Sequence, residues 1–368
     1  MPALDRRPHF PDGRRRGDKL TPAMGHPEVD NRTPFAFEAL FLADEELRPL
    51  VVPLVKATFT IGEDGRCRRA DEQLAPSLEG ECWGKDPETS SYRYEPEVAF
   101  VKPATDVVLI GHAHAPDSQT TEMRVGLRVG TLSKQLLVTG DRVWFRTAGI
   151  VSATRPLPFQ KVPLVYERAF GGWDRGHPDP AKHSCEPRNP VGTGYRASGG
   201  FQEGLHLPNI EDPRAPIGSF GDRPAPAGFG FVSPHWKPRA LLAGTYDEAW
   251  QTARAPLLPR DFDRRHLNAA SAGLVADGYL RGDETVAGLG VTPDGRLHFS
   301  LPGVPPPSVE IALVGGAPRP VALNLDTVII EPDERRVILL WRGHLALREG
   351  PHDVQAIRIG SAPAAAAA

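Results

Sequence analysis

The sequence predicts a mainly β fold: two antiparallel sheet-rich parts, with long, ordered Gly/Pro-rich loops and a few short helices between them. Three observations lead there. Short runs alternate apolar with polar residues, the period of a strand with one buried face, and they cluster towards the two ends of the chain. Gly- and Pro-containing turn pairs separate these runs. Many of the 37 glycines and 39 prolines crowd into residues 156–240, which excludes long helices and central strands there.

Residues 1–30 are rich in Arg, Asp, Pro and Gly with little to bury, so they read as an extension without fixed structure, and 361–368, ending "SAPAAAAA", as a flexible tail. The folded body is expected to begin near Asn31. An N-terminal β part covers 31–165. In "LVVPLVKATFTI" (50–61), Val55, Ala57, Phe59 and Ile61 alternate with Lys56, Thr58 and Thr60, as in a half-buried strand. In "EMRVGLRVG", Val125, Leu127 and Val129 share a face opposite Arg124, Gly126 and Arg128, and Gly140-Asp141 in "KQLLVTGDRVWF" has the composition of a two-residue hairpin turn.

A C-terminal β part covers 276–360, with strands expected over 309–314, 321–325, 327–331 and 336–342 and turns at Gly315-Gly316 and Pro332-Asp333. Between the two parts, 166–275 is a Gly/Pro/aromatic loop region with short helices. Thr245 and Glu248 form a capping-box pattern ahead of "AWQTAR", which Pro256 ends. "RDFDRRHLNAASAGL" can bring Phe262, His266, Ala269 and Ala270 to one side of a helix, with His266 a hydrogen-bonded boundary residue. Tyr166, Phe170, Trp173, Tyr195, Phe201, Phe220, Phe229, Phe231 and Trp236 make the loops of this region ordered, because disordered segments are poor in aromatics.

Composition narrows the function. A net charge of -3 and a pI near 6.5 lack the basic excess of a chain that neutralises many phosphates, so nucleic acid is not expected as a partner. Cys67, Cys82 and Cys185 are odd in number and widely spaced, against a disulfide framework or a cysteine-based zinc site and in keeping with a reducing cytoplasm. The arginines at 6, 7, 14, 15 and 16 are followed by no apolar run, so a secretory signal is not expected. No stretch approaches the ~20 apolar residues of a membrane span.

The chemistry-bearing residues form no recognised catalytic pattern. His177, His183 and Cys185 are close in sequence but match no standard zinc spacing, and read as polar residues of a loop. His112 and His114 point the same way on a strand, with no third ligand evident. Gly192, Gly194, Gly199 and Gly200 lack the GKS/GKT ending of a phosphate loop. There is no Gly-x-Ser-x-Gly elbow, and "SGG" (198–200) and "SAG" (271–273) have no assignable base. Asp261 and Asp263 read as helix-start residues. What remains is "YERAFGGWD" (166–174), with Phe229, Phe231 and Trp236: rings on Gly/Pro-rich segments that serve either as anchors for a partner protein or as a loop-made core. Gly171-Gly172 implies a tight turn or positive φ.

Over the body, "NRTPFAFEALF", "LVKATFTI", "KPATDVVLIGHAHAP", "VTGDRVW", "PLVYERAFGGWD", "NPVGTGY", "LPNIEDP", "PAGFGFVSPHWKPR", "LPRDFDRRHLNAA", "LRGDETVAGLGVTPDGRLHFSLPG" and "DTVIIEPDERRVILLWRG" follow one another in order. In this the chain resembles the accessory proteins of bacterial type VI secretion, catalogued as a domain of unknown function and regarded as effector adaptors or chaperones. The arginine-rich extension and alanine tail depart from that pattern, and His177, His183 and Cys185 are not part of it. The resemblance implies a cytoplasmic, non-enzymatic protein whose partners are a type VI effector and a spike or spike-tip protein; the histidine and cysteine spacing and the lack of a cofactor loop lead to no expected metal or cofactor. The candidate partner-binding or structural residues are Phe170, Gly171, Gly172, Trp173, Asn189, Pro190, Gly192, Gly194, Phe229 and Trp236. A reading of another class is a hydrolase-like or metal-dependent enzyme using His and acidic residues of 166–270.

Overall fold

The computed structural model describes residues 27–197 and 200–361. The N-terminal extension up to residue 26, Ser198, Gly199 and the alanine tail from 362 lie outside the described residues, and the expectations placed on them lie there too.

The mainly β expectation holds, and the fold is organised around the strand Pro49–Ile61. Its neighbours in a seven-stranded sheet run Ala36–Ala43, Pro49–Ile61, Arg336–Arg342, Asn324–Glu331, Asp106–Leu109, with Cys67–Arg69 and Leu345–Ala346 also paired to the long strand. Val55, Ala57, Phe59 and Ile61 are buried as the alternation requires. The opposite face differs from expectation: Thr60 is exposed, but Lys56 and Thr58 are buried as well. The Lys56 ammonium donates to Glu97 Oε1 (2.7 Å) and Ala75 O (3.1 Å), and the Thr58 hydroxyl accepts from Leu74 N (3.1 Å). The irregular chain around 70–97 therefore roofs this face, and the strand is buried on both sides. Its partner "RVILLWR" (336–342) has the near-continuous apolar run of a doubly covered strand.

A second sheet of five strands runs Ile210–Glu211, Leu132–Thr139, Glu122–Val129, Thr285–Leu289, Arg296–Ser300. Val125, Leu127 and Val129 point into the core from it. The hairpin turn falls at Gly130-Thr131, where Val129 pairs with Leu132 and Gly130 has φ +55°, and not at Gly140-Asp141. Gly140 is required for another reason: a Cβ there would lie 1.7 Å from Leu157 O. Trp144–Thr147 then forms its own hairpin with Ile150–Ala153.

In a third sheet, Glu28–Asn31 runs parallel to Val354–Gly360, which pairs with Ser308–Leu313 and, through it, Arg319–Val321. Glu28–Asn31, most of which falls in the stretch expected to lack fixed structure, is thus a paired strand. Asn324–Glu331 is one strand with an irregularity after Leu325, and Gly315-Gly316 and Pro332-Asp333 lie in the connections where turns are expected. The seven-stranded and five-stranded sheets both combine strands from 31–165 with strands from 276–360, and the third joins Glu28–Asn31 to strands from 276–360. Most pairs are antiparallel; Asp106–Leu109 with Asn324–Glu331 and the terminal pair are parallel.

Among its described residues the loop region holds one short α-helix, Glu248–Ala253. Its cap is Asp247, whose carboxylate accepts from Trp250 N (2.8 Å), whereas Thr245 is drawn away to donate to Asp261 Oδ2 (2.7 Å). The helix expected over "RDFDRRHLNAASAGL" is reduced to a 3-10 turn, Arg264–Leu267, started by the Asp263 carboxylate. It ends because Asn268 is pinned in extended conformation, its amide donating to Ala104 O (2.8 Å) and Asp106 Oδ1 (3.0 Å). Ala270 then bridges to Phe231. His266 is half-buried, with Nδ1 3.0 Å from Arg239 O and its ring edge-on to Phe262; burial lowers its basicity.

Candidate functional site

"YERAFGGWD" and "NPVGTGY" are locked together backbone to backbone. After the 3-10 turn Tyr166–Arg168, Phe170–Gly171 runs parallel to Thr193–Gly194, and Trp173–Asp174 antiparallel to Ser184–Cys185. Gly171 and Gly172 have φ of +153° and +100°, and Cβ atoms on them would lie 2.1 Å from Asn189 O and 2.3 Å from Gly192 O. The glycines are needed both for positive φ and for room.

Asn189 has no exposed surface. Its amide donates to Tyr166 O (2.8 Å) and Phe170 O (3.1 Å), while its backbone carbonyl accepts from Gly172 N (2.9 Å). Buried carbonyls that sheets do not reach are thus satisfied by one side chain. Thr193 Oγ1 donates to Glu167 O (2.9 Å), and the Glu167 carboxylate accepts from Ser90 and Ser91. Asn209, in "LPNIEDP", ties the same turn to the second sheet: its backbone N donates to Arg168 O and its amide to Thr139 O.

The rings divide. Phe170, Phe229, Phe231 and Trp236 are buried, and Tyr166 packs edge-on against Trp236 at 5.4 Å. Phe229 O accepts from Leu109 N, fastening the loops to the central sheet. Pro190, Gly192 and Gly194 are half-buried, with φ +97° at Gly194. Trp173 is the exception, 47% exposed, with the Arg175 guanidinium 5.3 Å from its ring. Its neighbour Asp174 is buried and accepts from Arg196 (2.8 Å) and the backbone N–H groups of Gly176 and Ala197, so Trp173 projects from a rigid base.

His177 and His183 lie on the exposed loop, His183 Nε2 2.9 Å from His177 O, and Cys185 is occupied in the pairing with Trp173. Burial pushes the Cys185 thiol up. Among the described residues no group of three or more His, Cys, Asp and Glu is arranged to hold a metal ion. His112 and His114 do share a partner that the sequence reading missed: Asp333, from the turn after Asn324–Glu331, lies 2.6 Å from His112 Nδ1 and 2.9 Å from His114 Nε2, with Lys161 Nζ at 3.3 Å. Burial pushes the Asp333 carboxyl up, but the hydrogen bonds from both histidines and the Lys161 charge outweigh it and hold the group below its usual value. Since the folded form is the stronger acid, its contribution to stability is present above about pH 4 and lost as pH falls through the folded value. Asp333→Asn is expected to cost about 1 kcal/mol at neutral pH, with the difference from wild type closing in strong acid; denaturant titrations at the two pH values check this.

Beside the junction, the loops leave two apolar cavities of about 540 and 410 Å³ that meet at Val232, Pro238 and Ala272. Lys134 and the 65% exposed Leu241 border the larger one. Neither residue carries a sequence signal: Lys134 is an ordinary polar position on an alternating strand, and Leu241 an isolated apolar residue in a loop.

The fold and this junction define a mainly β protein whose central Gly/Pro/aromatic loops are an ordered part of the architecture. The chain belongs to the family described as "Uncharacterized protein conserved in bacteria (DUF2169)", whose model matches residues 46–342. No curated protein and no solved structure matches it. Among the described residues, no helix is long and apolar enough to cross a membrane.

Proposed function

We propose that this chain is a non-enzymatic adaptor or chaperone that binds a type VI secretion effector in the cytoplasm and assists its loading onto the spike complex, with a spike or spike-tip protein as second partner. The motif resemblance supports this, and the observation that carries it is Trp173: a large ring, 47% exposed, standing on a hydrogen-bonded base instead of joining the buried rings around it. A rigid aromatic of this kind binds a protein partner at low entropic cost.

The test is Trp173→Ala, assayed by pull-down of type VI effectors with the tagged full chain from secretion-active cells. Stability should change by less than about 0.5 kcal/mol, as for an exposed side chain, while effector capture weakens by ~2 kcal/mol or more. Unchanged capture would remove the reading; a melted variant would make Trp173 structural instead.

A further inference from the structure

The two apolar cavities form one groove under loop 225–241 and loop 270–277, and a further cavity of about 530 Å³ joins it at Lys134 and Ala272. Lys134 reaches into this junction from the strand Leu132–Thr139, where Nζ donates to Ser271 Oγ (2.9 Å) and Ala272 O (2.8 Å). Both acceptors are neutral, and an ammonium has three N–H donors. The acids nearby are taken: Glu186 pairs with Arg188 at 2.7 Å and Asp212 with Arg214 at 2.8 Å. Among the described residues, no carboxylate forms an ion pair with Lys134. Burial drives its pKa down to about 8, against a raising effect from Asp212. A half-enclosed cation that borders an apolar cavity and has no paired carboxylate is favourable when a ligand brings the opposite charge.

We propose that this groove receives a segment of a partner polypeptide, whose apolar side chains fill the two cavities and whose carboxylate, from Asp, Glu or a C-terminus, pairs with Lys134. The inference rests on the adaptor reading in taking the occupant to be a protein. Charge and shape argue together for that occupant: Leu241 and Val232 offer apolar walls, and Lys134 supplies one fixed positive point that sets the register of the bound segment.

The test uses the full chain and a phage-displayed library of random short peptides. Enriched sequences are expected to join large apolar residues to an acidic residue or a free C-terminus. A synthetic peptide of the enriched sequence should lose roughly tenfold or more in affinity on Lys134→Gln, and similarly on Ala272→Trp, which plugs the groove at an exposed position. Lys134→Arg should recover part of the binding. Replacing the peptide's carboxylate with an amide should cost the same on wild type and nothing further on Lys134→Gln. Enriched peptides without an acid, equal binding by Lys134→Gln, or no enrichment overturns the proposal. So does a dimer of the chain that Ala272→Trp disperses, since the occupant is then a second copy. Effector capture is measured in parallel. If Trp173→Ala abolishes it while Lys134→Gln and Ala272→Trp do not, the adaptor reading stands and the groove falls; if wild type captures no effector, the adaptor reading falls whatever the peptides do.

Discussion

Gly172→Ala should destabilise the protein by about 3 kcal/mol, the sum of a Cβ forced into positive φ and a close approach that the fold must relieve. The added methyl would lie 2.3 Å from Gly192 O, a backbone atom held by the same junction and unable to swing aside. Gly149 supplies the control. It too has positive φ, +83°, in the turn between Trp144–Thr147 and Ile150–Ala153, but a Cβ there meets nothing within 4 Å. Gly149→Ala should therefore cost only about 1 kcal/mol. Paired denaturation curves measure the difference, which isolates the cost of the close approach. Equal losses at the two positions would mean that the junction yields easily and does not hold the loops.

Glu97→Ala should cost the central sheet about 3–5 kcal/mol, because it leaves the Lys56 ammonium buried without its carboxylate. Glu97 Oε2 also accepts from Ser77 N (2.8 Å), so the same substitution loosens the roof that covers the strand. Replacing both partners, Lys56→Met with Glu97→Leu, should recover most of the loss, since no uncompensated charge remains. A double-mutant cycle in urea tests this: a double variant as unstable as Glu97→Ala alone would show that the pair organises the roof rather than merely neutralising a charge.

The strands were legible because their burial is written in local alternation or in continuous apolar runs: Val125, Leu127 and Val129 in one case, Val337 to Trp341 in the other. Lys56 was misread because a polar residue on an alternating strand looks the same whether water or Glu97 faces it. Gly140 was misread for a related reason. A glycine beside an aspartate signals a turn, and only the distant Leu157 carbonyl reveals the crowding that requires it. The helix over 260–274 failed to form because Asn268 and Asp106, far apart in sequence, fix the chain in another conformation. Within the candidate site, the need for two glycines was visible in the sequence. The division of the aromatics into buried Phe170, Phe229 and Trp236 and exposed Trp173 was not, since it depends on which loop lies over which.

The parallel pairing of Glu28–Asn31 with Val354–Gly360 bears on how the protein is made. An early strand leaving the ribosome finds its neighbour only when almost all of the body has followed it. The central sheet waits similarly for Asn324–Glu331 and Arg336–Arg342. Until then, the apolar run of Pro49–Ile61 has one edge unpaired, the one that Arg336–Arg342 will cover, in a topology whose distant contacts make folding slow and nascent intermediates prone to aggregate. Production in the cell should accordingly depend on translation speed and general chaperones. Truncations that remove the last strands should yield insoluble chains rather than a folded N-terminal half.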